Sequence, residues 1–319
     1  MKSLLLCALA LLVWAASPVQ AQGYPKGPIN LVVPYAPGDA TDLAARTMAE
    51  ELAKLLKVPV LVINKPGAGG ALGTENVAKA AKDGYTLLFT TNATLTFRRV
   101  FDPATANYDS LRDFVPLGLA TRIPNVLAVR SDLPYKNFAG MVEYAKKNPG
   151  QVRVGTAGAG SAGDFTVATL NALTGAGLTM VPFKGASPAV TDALGGHIEG
   201  VTLALGVVSS HMRSNALKAI VISSRFPEFA DVPTLAEQGY SQNIFGLWLA
   251  FFAPAGVPSE VAAMLVPAIE KVVKDPAIAA RLLPRGMVQE YASPAILLRE
   301  LREEFRTIEE LAKKSGTVK

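Results

Sequence analysis

The chain has 319 residues, of which 50% are hydrophobic and 18% charged, and its formal net charge is +5. That length allows one large or two medium domains, and the small, scattered charge argues against a nucleic-acid or membrane-surface role. Cys7, His197 and His211 are the only cysteine and histidines, so thiol, imidazole and metal chemistry have almost no candidate residues.

The first 21 residues have the pattern of a secretory signal peptide. Lys2 is their only charge, residues 4–15 form an apolar run, and Val19-Gln20-Ala21 fits a relaxed A-x-A cleavage site. The apolar run is too short to span a bilayer, so cleavage near Ala21 is favoured over a membrane anchor. Because Cys7 lies in this segment, the exported chain would contain no cysteine.

Short apolar strands alternate with helical patterns along the rest of the chain. This alternation predicts an α/β fold with mainly parallel sheets and helices on their faces. The predicted strands are 29–34, 58–63, 85–90, 152–156, 178–183, 198–203 and 217–222, and the predicted helices are 42–56, 72–81, 165–173, 187–194, 260–273, 276–283 and 294–314.

Two loops of this pattern echo each other at an offset of 122 residues. Gly38 and Asp42 in the first loop correspond to Gly160 and Asp164 in the second, and each pair follows a strand and opens a helix. Ligands of open α/β sheets bind at the carboxyl edge, where helix N-termini favour anions. We therefore expect the two loops to face each other across a cleft that takes an anionic group.

The second loop also reads G-x-G-x-x-G at 158–163, which is a dinucleotide pattern. Phe183-Lys184 stands where a dinucleotide site needs an acid, and an exported protein rarely meets free NAD. Ala159 removes the glycine that a nucleophile elbow at Ser161 requires. The glycines instead favour a loop whose backbone N–H groups bind a carboxylate.

Polar residues near these loops have both a structural and a functional interpretation. Asp42 and Asp164 suit the first turn of a helix, where acids interact favourably with the dipole. Asp39 would repel a carboxylate, so it could face a cationic ligand group or solvent. Gly67 belongs to a glycine loop that turn chemistry or ligand contact would explain, and Thr91-Asn92 could read a polar ligand.

Seven ordered segments resemble the periplasmic substrate-binding receptors of tripartite tricarboxylate transporters, often called Bug-type receptors. Each segment alone is a weak signal, but the ordered set is specific and spans essentially the whole chain after residue 21. The segments are PINLVVPYAPGDATD (28–42), VINKPGAGG (62–70), DGYTLL (83–88), GTAGAGS (155–161), VPFKG (181–185), DVPTLAEQG (231–239) and FAPAGVP (252–258).

The resemblance implies a two-lobed periplasmic binding protein, monomeric and without cofactor, metal or enzymatic activity, that passes a small carboxylate to membrane permease subunits. Residues 22–122 and 246–319 would form lobe 1 and residues 123–245 lobe 2, with hinge strands near 116–129 and 246–252. The ligand-binding residues expected from the resemblance and from the sequence itself are Tyr35, Pro37, Gly38, Asp39, Ala40, Thr41, Asp42, Gly67, Thr91, Asn92, Gly160, Ser161, Ala162, Gly163, Asp164, Phe183, Leu203 and Ala204.

Several positions depart from the family's usual pattern. Asp39 replaces a second glycine, Asp164 a histidine, Leu203-Ala204 an Asp-Asn pair, and 95–98 a stretch containing histidine. One wall of the cleft would be more acidic and another more apolar, which favours an amino-bearing or aromatic carboxylate over citrate. A secreted enzyme that uses Asp42 or Asp164 as a base, and a sensory receptor, are the alternatives.

Overall fold

The computed structural model describes residues 23–158 and 161–314. The predicted signal peptide and the predicted ligand-binding residue Gly160 lie outside the described residues. Over the described ranges the chain forms two β-sheets flanked by helices, as the alternating pattern predicts.

The first sheet, sheet 1, combines the beginning and the end of the chain. Its strands are β1 (Ile29–Val33), β2 (Val60–Asn64), β3 (Thr86–Thr91), β4 (Phe114–Ile123), β10 (Leu247–Pro254) and β11 (Val288–Ala292), in the spatial order β11-β4-β10-β3-β1-β2. Its helices are α1 (Ala40–Leu56), α2 (Ala71–Ala78), the π-helix Ala93–Phe97, α3 (Arg98–Phe101), α8 (Ser259–Val273), α9 (Pro276–Leu282) and α10 (Pro294–Lys314).

Sheet 1 is buried on both faces. Along β10, Leu249 and Phe251 join the core beneath α1 and α8, whereas Trp248 and Phe252 join the core beneath α2 and α10. Because side chains of a strand alternate between faces, an unbroken apolar run such as LWLAFFAP is what a doubly covered strand needs.

The second sheet, sheet 2, is formed by the middle of the chain. Its strands are β5 (Asn125–Arg130), β6 (Arg153–Thr156), β7 (Thr179–Pro182), β8 (Gly200–Ala204) and β9 (Leu217–Ile222), in the order β7-β6-β8-β5-β9. Leu127 and Val129 of β5 face α4 (Phe138–Lys147) and α5 (Ala162–Thr174). Val126 and Ala128 face α6 (Ala186–Leu194) and α7 (Leu205–Arg213), so sheet 2 is also covered on both faces.

In both sheets most strands run in one direction, as predicted, but each sheet also includes at least one antiparallel strand. Strand β10 lies antiparallel between β3 and β4, and β5 lies antiparallel between β8 and β9. Both inserted strands follow a passage of the chain from one sheet to the other, so no crossover helix turns them parallel to their neighbours. The consecutive strands joined through helices, β1 to β3 and β6 to β8, run parallel as expected.

Most predicted elements agree with the structure to within three residues. Strand β9 has the predicted bounds, whereas α5 begins three residues earlier than predicted. Helices α4 and α7 and strand β11 were not predicted. The predicted crossing at 116–129 is divided at Pro124 into β4 of sheet 1 and β5 of sheet 2. Over residues 23–158 and 161–314, no helix combines the length and hydropathy that a membrane span requires.

Candidate functional site

The loop between β1 and α1 forms the first predicted wall of the cleft. Its tip, residues 37–40, is exposed, while Thr41 and Asp42 beneath it are buried. Gly38 has φ +84°, a left-handed conformation that favours glycine, and a Cβ there would meet no atom within 4 Å. The tip is therefore open to an incoming ligand, and the glycine is needed for the turn rather than for a close contact.

Asp39 is the N-cap residue of α1. Its Oδ1 accepts a 2.8 Å hydrogen bond from the backbone N–H of Thr41, which stabilises the helix start. The side chain is exposed, so its negative charge also acts on any group that approaches the loop tip. The cap thus gives Asp39 a structural role, and its charge favours cationic over anionic groups at this end of the cleft.

Asp42 holds the loop in shape from below. Its Oδ2 accepts hydrogen bonds from Gly38 N (2.8 Å) and Arg46 Nε (3.0 Å), and its Oδ1 accepts one from Asn64 Nδ2 (2.8 Å). Burial of this 2%-exposed carboxylate acts to raise its pKa, but the bonds from Arg46, Gly38 and Asn64 hold the pKa below its usual value. Asp42 is therefore an ionised anchor and a poor general base at neutral pH.

These hydrogen bonds change which groups of the first loop can donate to a ligand. The amides of Gly38 and Thr41, which we expected to bind a ligand carboxylate, are bonded to Asp42 and Asp39 of the same loop. Carboxylates of the chain occupy the positions that a ligand anion would take. A ligand anion at this loop must therefore use other donors or displace an aspartate.

Tyr35, at the base of the same loop, faces the end of β3. Its hydroxyl lies 2.6 Å from Thr91 Oγ1 and 2.5 Å from Thr94 Oγ1. Burial raises the pKa of Tyr35, which therefore stays neutral. The expected ligand residues Tyr35 and Thr91 are thus in contact, and their hydroxyls join the first loop to the third strand.

Asn92 needs a correction, because we expected its amide to read a polar ligand. Its Nδ2 donates to Gly246 O (3.0 Å) and to Glu304 Oε1 (2.9 Å), while its Oδ1 accepts from Trp248 N (3.2 Å). Both amide donors and the amide oxygen are satisfied inside the protein. Asn92 therefore fastens β3 to β10 and α10, and no local sequence signal indicated these distant partners.

The loop between β6 and α5 forms the opposite predicted wall. Ser161 is the N-cap residue of α5, with its Oγ accepting from Asp164 N at 3.4 Å. The buried carboxylate of Asp164 accepts a 2.5 Å hydrogen bond from Thr156 Oγ1 at the end of β6. Asp164 thus ties the helix start to its own strand, as Asp42 does in the first loop.

Gly163 is glycine for a packing reason. A Cβ at this position would lie 2.5 Å from the backbone oxygen of Thr202 on β8 and 3.2 Å from the Cβ of Thr156. The first turn of α5 can therefore lie against the sheet only without a side chain there. The G-x-G-x-x-G pattern ends on a glycine that serves helix-to-strand packing.

An aromatic cluster joins the two sheets beside this helix start. Phe165 of α5 lies 4.8 Å from Phe97 and 4.5 Å from Phe101, measured between ring centroids. Phe245 adds edge contacts at 5.7 Å to Phe97 and 6.2 Å to Phe165. The start of α5 is therefore packed on the elements that follow β3 of sheet 1. No local pattern predicted this cluster, since its members come from three segments that lie far apart in the chain.

The remaining expected residues have different positions. Leu203 is corrected from a cleft residue to a core residue, since it is 3% exposed and packs in the core of sheet 2. Ala204 is half-buried against the core of sheet 1, at the boundary between the sheets. Phe183 is half-buried over Gly155. Gly67 has φ +138°, and a Cβ there would lie 2.6 Å from Leu72 Cδ1, so its backbone conformation and this close approach explain the glycine.

The metal-ligating and imidazole side chains of the described chain have the following positions. In the part of the chain that the structure describes, no three His, Cys, Asp or Glu side chains are grouped to bind a metal. His197 is exposed on the turn before β8, and His211 is half-buried near the end of α7. The site consists of two capped helix starts, hydroxyls and backbone, which suits reversible binding.

Comparison with known proteins identifies the relatives of this chain. Residues 44–316 match the family model described as the tripartite tricarboxylate transporter family receptor. The chain is 34% identical to protein BugT of Bordetella pertussis over 281 residues, covering 88% of this chain and 86% of BugT.

Two solved structures have a similar fold and sequence. The crystal structure of a TctC solute-binding protein from Polaromonas gives a TM-score of 0.82 at 30% identity, covering 91% of this chain and 99% of that chain. MatC from Rhodopseudomonas palustris, with bound malate, gives a TM-score of 0.72 at 31% identity, covering 90% of this chain and 99% of MatC.

Proposed function

Since the chain belongs to the tripartite tricarboxylate transporter receptor family, we propose that it captures a small carboxylate between its two sheets and delivers it to membrane permease subunits. The observation that carries this proposal is the pair of capped helix starts at the carboxyl edges of the two sheets. The packing of Phe165 on Phe97 and Phe101 brings the start of α5 against sheet 1. Two helix N-termini then share one cleft, and their dipoles favour an anion that is bound by donors other than the amides of Gly38 and Thr41.

The ligand proposed is a dicarboxylate that carries an amino group. The malate bound to MatC supports a short dicarboxylic acid as the ligand class. Asp39 supports the amino group, because its exposed carboxylate at the loop tip would attract an ammonium and repel a further carboxylate. An aromatic acid is the second choice, given the phenylalanines beside α5.

The lobe boundaries, export and binding-only role belong to the same proposal. The passage from sheet 1 to sheet 2 between Ile123 and Asn125, and the start of β10 at Leu247, support lobes of 22–122 with 246–319 and of 123–245. The signal-peptide pattern of residues 1–21 supports a periplasmic location, and the protein proposed there is a monomer. The low pKa and full hydrogen bonding of Asp42 support a receptor over an enzyme with this base.

L-malate and L-aspartate test the proposal, since they differ only in a hydroxyl against an ammonium on one carbon. We expect the protein expressed from residue 22 to unfold several degrees higher with aspartate, because a ligand of the folded state stabilises it by about 2.7 kcal/mol at a hundred times its Kd. Citrate should stabilise the protein least. Chromatography of the incubated ligand should recover it unchanged, whereas consumption of the ligand would reveal an enzyme.

Asp39→Ser is the matched variant for this test. Serine keeps the N-cap of α1 while removing the charge, so the variant should fold normally and lose the preference for aspartate over malate. An unchanged preference would refute the role of Asp39. Failure of every carboxylate to stabilise the wild-type protein would refute carboxylate capture itself.

A further inference from the structure

The C-terminal helix places a carboxylate at the point where the chain returns to sheet 1. Glu304 of α10 accepts a 2.7 Å hydrogen bond from Trp248 Nε1 at Oε2 and a 2.9 Å bond from Asn92 Nδ2 at Oε1. Thr96 Oγ1 lies 2.8 Å from Oε1 and equally close to Asn92 O, so its proton is shared between them. One carboxylate thus accepts hydrogen bonds from the residue after β3, from the π-helix and from β10.

Asn92 extends this network to the backbone of the crossing. It donates to Gly246 O and accepts from Trp248 N, so it fixes the chain on both sides of Leu247. A Cβ on Gly246 would lie 2.7 Å from Ser223 Oγ and 3.2 Å from Ile123 O. At Gly246 the return crossing therefore lies close against the first crossing and against the end of β9.

A cavity of about 530 Å³ borders this network and is lined from both sides of the crossing. Arg122, Trp248 and Glu304 line it from sheet 1 and its helix. Ser223 and Asn243 line it from the segments around sheet 2. A rotation of one sheet against the other would open or close this space beside Glu304.

We propose that Glu304 is a positioning residue for ligand capture: by holding Asn92, Thr96 and Trp248 together, it sets the angle between the two sheets at which the cleft loops meet. This inference rests on the proposed receptor function. Its path to the cleft is short, because Thr91, next to Asn92, is bonded to Tyr35 at the base of the first loop. Glu304 itself contacts no residue of the loop tips in this network.

The charge state of Glu304 should matter for this role. Burial raises its pKa even though the bonds from Trp248, Thr96 and Asn92 act to lower it. The charged groups around it are Arg122 on β4, which bonds Glu290 and Glu300, and the exposed Glu303 on α10. Protonation of Glu304 would turn one of its two carboxylate oxygens into an O–H donor that faces other donors. The network would therefore lose a hydrogen-bond acceptor as the pH falls.

Tryptophan fluorescence reports on this network, because Trp248 is hydrogen-bonded to Glu304. Trp14 and Trp248 are the only tryptophans of the sequence, so protein expressed from residue 22 has Trp248 alone. Ligand-free wild-type protein should show an emission change with pH whose midpoint lies above the ordinary glutamate value of 4.5. Glu304→Gln should abolish this transition, and the exposed neighbour variant Glu303→Gln should keep it. A transition that survives Glu304→Gln would overturn the assignment.

The angle between the sheets is measured with spin labels. The chain has no cysteine after Cys7, so cysteines replacing the exposed Lys54 of α1 and Lys146 of α4 give one label on each side. Glu304→Gln should shift or broaden the distance distribution between the labels, whereas Glu303→Gln should leave it unchanged. If Glu304→Gln does not fold by circular dichroism, Thr96→Val, which removes only one donor, replaces it. A wild-type distribution in the folded variant overturns the proposal.

Affinity separates this inference from the proposed function. For aspartate or malate, whichever stabilises the wild-type protein, Glu304→Gln should raise Kd about tenfold, equivalent to about 1.4 kcal/mol. The wild-type affinity should also fall as the pH drops through the Trp248 transition, and that dependence should be absent in Glu304→Gln. If wild-type protein binds neither acid, the proposed ligand class fails, while the label distances still decide the role of Glu304.

Discussion

The starts of α1 and α5 have the same local design, an N-cap residue followed three residues later by a buried aspartate. Asp39 and Ser161 are the caps, and Asp42 and Asp164 are the anchors that join each helix to its own sheet. Both loops leave their tips at the carboxyl edge of a sheet. The cap and the anchor depend on residues close in sequence, so the same pattern is visible in the sequence of both loops at an offset of 122 residues.

The two helix starts differ in what lies around them. The first has an exposed, charged cap and an anchor bonded to Arg46, and its partners all belong to sheet 1 and its helices. The second has a neutral cap, and the next residue after its anchor, Phe165, packs against elements of the other sheet. The first helix start therefore interacts through charge within sheet 1 and its helices, whereas the second, which belongs to sheet 2, makes apolar contacts with elements of sheet 1.

Phe165→Ala should have the largest effect, because it removes the centre of the aromatic cluster between the sheets. Loss of a buried phenylalanine costs about 3–5 kcal/mol of the free energy of unfolding, measured in urea. Phe138→Ala is the control, since that side chain is equally buried but packs only within the core of sheet 2. Both variants should lose stability, and only Phe165→Ala should change the distance between labels on the two lobes. If the label distances are identical in Phe165→Ala and Phe138→Ala, Phe165 has no special role in the contact between the two sheets.

Asp42→Ala should destabilise the protein by about 2 kcal/mol, since it removes a carboxylate bonded to Gly38, Arg46 and Asn64. Its folded pKa lies below the ordinary 3.8, so its contribution is present above the unfolded pKa and is lost as the pH falls through the folded pKa. Asp42→Asn should therefore flatten the unfolding free energy below about pH 4. Asp132→Ala, which breaks an exposed ion pair with Arg130, should change stability little.

Gly163 and Gly38, the glycines of the two loops, should respond differently to substitution by alanine. Gly163→Ala should cost about 1–3 kcal/mol of unfolding free energy, because its Cβ would meet the backbone of Thr202. Gly38→Ala should cost about 1 kcal/mol, since only its φ of +84° is unfavourable and the space around it is open. Equal losses of stability in Gly163→Ala and Gly38→Ala, measured by thermal unfolding, would show that the two glycines do not differ in how tightly they are packed.

The smallest effects concern the caps. Asp39→Ala should lower the free energy of unfolding by about 1 kcal/mol, which is typical for the loss of an N-cap. Ser161→Ala should cost less, because its hydrogen bond to Asp164 N is longer, at 3.4 Å. Chemical denaturation of the two variants in parallel measures this order, and the reverse order would contradict the weaker cap at α5.

Sequence patterns predicted the elements joined through helices better than the strands that follow a passage of the chain between the two sheets. Strands β1, β2 and β3 alternate with helices and run parallel as predicted. The direction of β10 depends on where the chain re-enters sheet 1 after the whole of sheet 2, and no window of neighbouring residues contains that information. The same limit explains why the antiparallel direction of β5 within sheet 2 was not predicted either.

For the candidate site, prediction succeeded where partners are near in sequence. The N–H of Thr41 bonds Asp39 two residues away, and the N–H of Gly38 bonds Asp42 four residues away. Because these partners are close in sequence, the residue pattern of this loop was enough to predict a structured helix start there. Leu203 was misplaced because its neighbours in the core of sheet 2 come from several elements. The ligand contacts proposed for the loop tips stay predictions.

The sequence by itself determined the alternating elements, the two helix starts and their caps, because those features depend on hydrogen bonds and periodicities within a few residues. Only the tertiary structure decided which distant group each polar side chain meets. Asn92 and Glu304 are 212 residues apart in the chain, yet their bond fastens the crossing between the sheets. A buried amide or carboxylate must be satisfied, but its partner is fixed by how the whole chain packs.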